Sequence, residues 1–204
     1  MGAGTVSRAY AGIGSRQTPA PMLDLMRSAA RSLGMAGYRL RSGGADGADA
    51  AFAHGAREAD APRTIYLPWK RFNDEDDECA IAFDRLPGAE KALAIAAAHH
   101  PAWDRLTPPV RRLMARNVMQ ILGDDCESPS RFVICWALGT KLDDDGQVCN
   151  VSGGTGQAVR IAYANGVTVF NLALPEHELR IRRWLLTFDP STEAVAASMA
   201  GSGR

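Results

Sequence analysis

The chain of 204 residues carries 23 basic and 23 acidic side chains, so its formal net charge is zero. This length suits a single globular domain, and the balanced charge argues against the broad basic surface that binds DNA nonspecifically. No segment is apolar over the length that a membrane span requires, and the N-terminal sequence lacks the apolar core of a signal peptide. We therefore expect one cytoplasmic domain over residues 1–204, without a membrane partner and with a frayed tail over about 190–204.

Short apolar segments alternate with longer segments of helical periodicity along the chain. The predicted strands cover residues 9–14, 38–43, 64–69, 131–137 and 168–172. The predicted helices cover residues 21–35, 47–59, 89–98, 109–122, 156–165 and 176–186. This alternation indicates βαβ units around a parallel sheet. We therefore predict an α/β fold with a doubly wound, mostly parallel, five-stranded Rossmann-like sheet and helices on both faces.

Two polar segments interrupt this alternation. The first is an acidic insertion over about 72–90, which holds seven acidic residues and the single basic residue Arg85. We interpret it as a solvated loop, with a mobile lid or a metal-tuned gate as the alternative. The second segment, 139–150, contains three consecutive aspartates whose spacing does not match an EF-hand. It is expected to be a flexible loop.

Cysteine and histidine give no sign of a metal site. The four cysteines form no CxxC pair, and they form no cluster with histidine at the spacing of zinc ligands. Cysteines without such spacing are typical of reduced thiols in a cytosolic protein. We therefore predict that the protein holds no metal ion.

Three glycine-rich turns each follow a predicted strand. Their candidate ligand-binding residues are Gly14, Ser15 and Arg16 in the first turn, Ser42, Gly43 and Gly44 in the second, and Ser152, Gly153, Gly154, Thr155, Gly156 and Gln157 in the third. The carboxyl ends of parallel strands meet at one edge of a sheet, where ligands bind in open α/β folds. Glycines let a ligand approach the main chain, and the helices that follow present free N–H groups that favour a phosphate. The turns therefore predict a shared phosphate-ligand site.

Charged residues beside these turns are further candidates. Asp46 and Asp49 either complement the start of a helix or accept hydrogen bonds from a ribose or base. Since two carboxylates repel a phosphate, we expect the phosphate near the third turn and the sugar or base near the second.

On the helix predicted at 109–122, Arg116 and Asn117 lie beside an apolar stripe, as surface residues or as part of the site. Trp69 and Trp136 follow strands and either stack on a base or pack in the core.

The turn sequences resemble those of the SLOG superfamily of Rossmann-like proteins. The matching stretches are YAGIGSR at 10–16, RSGGADGADAAF at 41–52, ARN at 115–117, FVICW at 132–136 and GGTGQA at 153–158. This superfamily includes the cytokinin-activating lonely guy phosphoribohydrolases and the DNA-processing protein A family. The chain is most similar to the DNA-processing-protein-A-like proteins of bacteriophages. The resemblance spans about residues 9–175 and implies a bacterial or phage-infected host cytoplasm.

The resemblance also implies roles for individual residues. In the lonely guy enzymes a PGGxGTxxE loop grips the nucleotide phosphate and supplies a glutamate, and an arginine on a neighbouring helix assists. The sequence SGGTGQAVR at 152–160 resembles this loop, but Arg160 stands where the glutamate would be. Arg116 resembles the assisting arginine. The missing carboxylate argues against the usual phosphoribohydrolase chemistry unless Asp46 or Asp49 replaces it, so Asp46, Asp49 and Arg116 are the candidate catalytic residues.

Three functions follow from the residues and the resemblance together. The first is binding of a nucleotide of the AMP, ADP-ribose, NAD or cyclic nucleotide class, with or without hydrolysis of its N-glycosidic bond or of a phosphoester bond. The second is a single-stranded DNA-binding recombination mediator, as in the DNA-processing protein A family. The third is a phage protein that sequesters a signalling nucleotide. Proteins of this superfamily are often dimers, so the resemblance also implies a homodimer.

Overall fold

A parallel sheet of six strands forms the centre of the computed structural model, which describes residues 8–188. Its strands are β1 (Ala9–Gly12), β2 (Arg39–Gly43), β3 (Arg63–Leu67), β4 (Ala80–Ala82), β5 (Phe132–Cys135) and β8 (Thr168–Asn171). Two short strands, β6 (Lys141–Leu142) and β7 (Val148–Asn150), pair as a separate antiparallel hairpin. The helices are α1 (Ala20–Met35), α2 (Ala48–Glu58), α3 (Ala89–Ala98), α4 (Pro108–Leu122), α5 (Thr155–Ala164) and α6 (Pro175–Thr187). The tail expected at about 190–204 lies outside the described residues.

The strand order confirms the predicted doubly wound, Rossmann-like α/β fold. Across the sheet the order is β4-β3-β2-β1-β5-β8, and every pair is parallel. The chain builds outward from β1 to β4 and then crosses to the other side of β1 to place β5 and β8. This reversal makes a topological switch point between β1 and β5. Ligands of open α/β sheets bind at such a point, outside the carboxyl ends of the strands.

Helices cover both faces of the sheet. Helices α1, α2 and α6 pack on one face, and α3, α4 and α5 pack on the other. Strand β5 shows why its sequence is apolar throughout. Phe132 and Ile134 are buried in the first layer, whereas Val133 and Cys135 are buried in the second. Among the described residues, no helix is both long and apolar enough to cross a lipid bilayer.

The sheet has six strands where the sequence predicts five, because the acidic insertion contributes β4. This strand pairs with β3, with Ile65 opposite Ala80 and Leu67 opposite Ala82. The carboxylate of Asp77 anchors the segment, since its Oδ2 accepts hydrogen bonds of 2.8 Å from both Arg57 Nε and Arg63 Nε. The prediction of a solvated loop is therefore wrong for the part of the insertion around Asp77 and β4. A run of acidic side chains in a sequence indicates a solvated loop. The structure shows that one of them, Asp77, is buried in ion pairs with Arg57 and Arg63.

Candidate functional site

A cleft of about 500 Å³ opens at the carboxyl edge of the sheet, at the switch point between β1 and β5. Of the candidate site residues, those lining it are Gly14, Ser15, Arg16, Asp49, Arg116, Asn117, Ser152, Gly153, Gly154 and Thr155. These residues come from the first and third turns and from helices α2 and α4. The candidate residues that do not line it are Ser42, Gly43, Gly44, Asp46, Gly156 and Gln157. The structure thus brings the first and third turns together directly, and Ala45 of the second turn and Asp49 of α2 also line the cleft.

Main-chain hydrogen bonds fix the first turn against its neighbours. The N–H of Ser15 donates to the carbonyl of Trp136 at 3.0 Å, which joins the segments that follow β1 and β5. The carbonyl of Ser15 accepts a bond of 2.7 Å from the Thr18 hydroxyl and a longer one of 3.4 Å from the N–H of Ala48, at the start of α2. The two walls of the cleft therefore keep a defined separation at this point.

The third turn presents main-chain donors to the cleft. Gly153 has φ 74° and Gly154 has helical φ and ψ immediately before α5. Among the described residues, no hydrogen-bond partner faces the N–H groups of Gly153, Gly154 and Thr155. A Cβ added at Gly153 or Gly154 would have no heavy atom within 4 Å. Open space and unpaired amides at the start of a helix are the arrangement that binds phosphate or carboxylate.

A buried ion pair lies at the floor of the cleft. Arg116 Nη1 is 3.4 Å from Asp49 Oδ2, and the two side chains are 8% and 5% exposed. Burial raises the pKa of Asp49, although the Arg116 guanidinium and the N–H of Ala45 act in the opposite direction. Burial likewise lowers the pKa of Arg116, but a guanidinium remains charged near neutral pH.

Gly43 makes room for this ion pair. A Cβ at position 43 would overlap Arg116 Nη1 and would lie 2.6 Å from Asp49 Oδ2. The glycine is therefore required because the guanidinium lies directly against the backbone at the end of β2. Its role is packing around the pair, and it does not itself line the cleft.

The cleft carries a net positive charge. Its ionisable lining residues are Arg16, Arg116 and Asp49, so two positive charges face one negative charge. Arg16 is exposed, and in the part of the chain that the structure describes it forms no ion pair. Its guanidinium is therefore available to an anionic ligand, and the fork of N–H donors suits phosphate oxygens.

Two amide side chains lie next to the ion pair on α4. Asn117 Nδ2 donates to Gln157 Oε1 at 3.4 Å, and Gln157 Nε2 donates to the carbonyl of Ala96 at 3.0 Å. Gln157 therefore supports Asn117 from behind the cleft. Gln120, one turn beyond Arg116, lines the cleft and is 1% exposed, and its Nε2 has no hydrogen-bond partner among residues 8–188.

The other candidate residues of the second turn contact neighbouring parts of the fold. Ser42 Oγ donates to the carbonyl of Gly12 at 2.6 Å and is fully buried, so it joins β2 to β1. Gly44 faces the side chains of Leu67 and Glu75. Asp46 is exposed and accepts a hydrogen bond of 2.9 Å from Asn73 Nδ2. None of these three lines the cleft, so Asp49 is the better placed of the two aspartates.

Arg160 does not take the place of a catalytic glutamate in the cleft. Its Nε and Nη2 donate to the carbonyl of His99 at 3.2 and 3.0 Å, and its Nη1 donates to Asn150 Oδ1 at 2.8 Å. The side chain thus ties α5 to the end of α3 and to β7. Gly156, at the first turn of α5, has the carbonyl of Val151 where a Cβ would lie, so it too serves packing.

Several cleft residues were not among the candidates from the sequence. Leu113, Met114 and Leu138 add apolar surface to the cleft, which the half-buried Trp136, already a candidate for base stacking, also lines. Asn171, at the end of β8, holds this wall in place. Its Oδ1 accepts from the N–H of Ala137 at 3.0 Å, and its Nδ2 donates to the Ala137 carbonyl at 2.8 Å. The sequence does hold a signal for Asn171, because it is a polar residue at the end of an apolar strand, at the edge of the sheet where ligands bind.

Comparison of the chain with models of known protein families gives no match, and comparison with curated proteins finds no relative. The resemblance of the turn sequences to the SLOG superfamily therefore stays a prediction. A function proposed for the chain therefore rests on the geometry of the cleft.

Proposed function

We propose that the cleft binds a nucleotide or a nucleotide-like phosphate compound. The observation that carries this proposal is the open third turn, where the N–H groups of Gly153, Gly154 and Thr155 have no partner among the described residues and line the same cleft as the Arg16 guanidinium. A phosphate at this position would accept hydrogen bonds from main-chain N–H groups and from a cation. Such charge-assisted bonds are about twice as strong as bonds between neutral groups.

The rest of the cleft suits the base and sugar of the same ligand. Leu113, Met114 and Trp136 supply apolar and aromatic surface on which a base can pack. Asn117 and Gln120 place amide groups next to this surface, where they can pair with the polar edge of a base. A ligand with a charged end and a flat aromatic end would therefore use both parts of the cleft.

Gly154→Ala separates ligand binding from folding. The position has helical backbone angles and open space around a Cβ, so alanine fits the fold and we expect thermal stability to hold or rise slightly. The added methyl group would occupy the approach of the phosphate to the turn. Loss of one hydrogen bond to a charged group is worth about 1.5–3 kcal/mol, which weakens affinity by about tenfold or more.

The measurement is a thermal-shift and calorimetric titration with AMP, ADP-ribose, NAD and a cyclic dinucleotide. A ligand at one hundred times its dissociation constant stabilises the wild type by about 2.7 kcal/mol. Gly146→Ala is the matched control, since Gly146 is also open but lies in the β6–β7 turn with φ 75°. It should lose about 1–2 kcal/mol of stability through the strained backbone and keep its affinity. Equal affinity of Gly154→Ala and wild type, or no stabilisation by any of the ligands, contradicts the proposal.

Hydrolysis of the N-glycosidic bond is a second candidate, favoured by the position of Asp49. Among the described residues, Asp49 is the acidic side chain that lines the cleft, and a carboxylate in this position can act as a general base toward a water molecule. In this reaction a water oxygen would form a bond to C1′ as the bond from C1′ to the base breaks. The base would leave with the electron pair, and Asp49 would accept the proton from the attacking water.

Asp49→Asn tests this second candidate. We expect release of free base from the bound nucleotide to stop, while affinity stays within a few-fold of wild type because asparagine keeps the shape of the side chain. Liquid chromatography of the products measures the release. Undiminished release would remove Asp49 from the mechanism, and absence of release in the wild type would leave binding or sequestration of an intact nucleotide, as the phage hypothesis holds.

The remaining proposals rest on the resemblance and on charge. Binding of single-stranded DNA is supported by the first 71 residues, which hold 10 Lys and Arg against 5 Asp and Glu. It requires affinity that falls steeply with salt. Homodimer formation would bury exposed apolar side chains such as Leu142 and Tyr163, and native mass spectrometry would measure it in the same sample that reveals a co-purified nucleotide.

A further inference from the structure

A second groove lies at the same edge of the sheet, beyond the end of β3. It is lined by Trp69, by Pro108 and Pro109 in the first turn of α4, and by Arg112 one turn further on. The Trp69 side chain is exposed, and the Pro108, Pro109 and Arg112 side chains are exposed as well. An aromatic ring, two prolines and a guanidinium form a surface on which a flat aromatic group can stack.

The position of Trp69 is fixed from beneath. Its ring meets that of the buried Phe72 edge to face, with centroids 5.1 Å apart and an interplanar angle of 86°. The turn that follows has left-handed backbone angles at Arg71, Asn73 and Asp74, with φ of 58°, 57° and 54°. Such angles at residues other than glycine cost free energy and persist where the surroundings enforce them. The turn thus holds an exposed indole ring in a defined place.

Positive charge accompanies this groove. Lys70 and Arg71 follow Trp69 directly, and Arg112 lines the groove from α4. All three are exposed, and within residues 8–188 none of them forms an ion pair. Cations beside a free aromatic surface complement a ligand in which a base is attached to a phosphate.

The groove and the cleft share one face of α4. Pro109 and Arg112 line the groove, and Leu113 and Arg116 line the cleft. These residues follow the spacing of a single helix face, and the four steps from Arg112 to Arg116 rise by about 6 Å along the axis. A ligand bound in the cleft can therefore continue along α4 toward Trp69.

We propose that this groove is a second base-binding subsite, and that the ligand of the protein carries two aromatic bases joined through phosphate. This inference rests on the proposed function, since the first base and a phosphate occupy the cleft. The second base stacks on Trp69, and Arg112 faces the linking phosphate. The subsite selects a two-base ligand over a mononucleotide, because the mononucleotide leaves Trp69 uncovered.

The test compares AMP with two ligands that carry two bases, 5′-phosphorylated diadenylate and NAD. Calorimetry would measure the affinities of wild type, Trp69→Ala, Trp69→Phe and the control Tyr163→Ala, an exposed aromatic residue on α5. In the wild type we expect at least one two-base ligand to bind about tenfold more tightly than AMP. Trp69→Ala should abolish this gain and leave AMP affinity unchanged, whereas Trp69→Phe and Tyr163→Ala should retain most of it.

The outcomes separate this inference from the proposed function. If AMP binds and neither two-base ligand binds more tightly, or if the gain survives in Trp69→Ala, the second subsite is overturned and the cleft remains a nucleotide site. If none of the three ligands binds the wild type, the proposed function fails as well. A ten-residue oligoadenylate that gains a further tenfold or more over the diadenylate would overturn the two-base ligand in favour of a single strand.

Discussion

The second and third glycine turns have similar sequences and opposite environments. The second turn contains SGGA and the third contains SGGT. At Gly43 a Cβ would collide with the Asp49–Arg116 pair, and at Gly44 it would lie 2.6 Å from a Leu67 methyl group. At Gly153 and Gly154 a Cβ would meet no atom within 4 Å. A glycine turn at the ligand edge can thus serve either close packing or an open anion site.

The serines of the two turns differ in the same way. Ser42 is fully buried and bonded to the main chain of β1, whereas Ser152 is exposed and lines the cleft. The comparison indicates a role in stability for the second turn, and the proposed function gives the third turn a role in ligand binding. Substitutions in the second turn should therefore change the free energy of unfolding, and those in the third should change affinity.

Gly43→Ala should give the largest effect on stability. The added methyl group would push Arg116 away from Asp49 and leave buried charges without their partners, which costs about 3–5 kcal/mol. Urea denaturation would measure the loss, with Gly154→Ala as the variant expected to unfold like the wild type or slightly later. Unchanged stability in Gly43→Ala would show that the ion pair is not held against the turn.

Asp77→Asn should give an intermediate loss, because Asp77 fastens the acidic insertion that packs against the second turn. Glu75 of this insertion lies against Gly44, and Asp77 accepts hydrogen bonds from Arg57 and Arg63. Removing the charge weakens two bonds with cations, and we expect a loss of about 2 kcal/mol at neutral pH. Affinity for a ligand at the third turn should not change.

The same variant has a distinct dependence on pH. Burial opposes the ionisation of Asp77, but hydrogen bonds from Arg63, the N–H of Cys79 and Arg57 hold its pKa below the ordinary value of 3.8. The stabilising contribution of a group with a lowered pKa is present above its unfolded pKa and is lost as pH falls through the folded pKa. The difference in unfolding free energy between wild type and Asp77→Asn should therefore be largest at neutral pH and should disappear at acid pH. A gap that stays constant down to acid pH would contradict this role of the carboxylate.

Ser42→Ala and Ser152→Ala should give the smallest effects. The first should lower stability, and the second should lower ligand affinity. Ser42→Ala removes the buried hydroxyl that donates to the Gly12 carbonyl and should cost about 1 kcal/mol or somewhat more. Ser152→Ala removes an exposed hydroxyl and should stay within about 0.5 kcal/mol of wild type, while weakening ligand affinity. Thermal unfolding with and without the nucleotide would measure both. The reverse pattern would exchange the roles assigned to the two turns.

The sequence predicted the layers of the fold, and ten of its sixteen candidate site residues line the cleft. All five predicted strands and all six predicted helices occur, with boundaries that differ by a few residues. These elements were accessible because strand segments such as 131–137 are apolar throughout and end in turn residues. The convergence of Gly14 and Gly154 also follows from the parallel sheet, since both lie in turns that follow strands at the same edge.

What the sequence could not supply depends on contacts between distant residues. Strand β4 required Asp77 to meet Arg57 and Arg63, which no periodicity in the insertion reveals. The different environments of Gly43 and Gly154 arise because Arg116, far along the chain, lies against one turn and not the other. The role of Arg160 could not be predicted either, since it donates to the main-chain carbonyl of His99.

The bond between the Ser15 N–H and the Trp136 carbonyl joins the two sides of the cleft through main-chain atoms alone. Exchange of either side chain leaves both atoms in place, and proline at position 15 is the substitution that would delete the donor. Evolution can therefore vary residues 15 and 136 to suit new ligands without altering the spacing of the two sides. Variation at these two positions can change which ligand the cleft accepts while the main-chain link between its sides is kept.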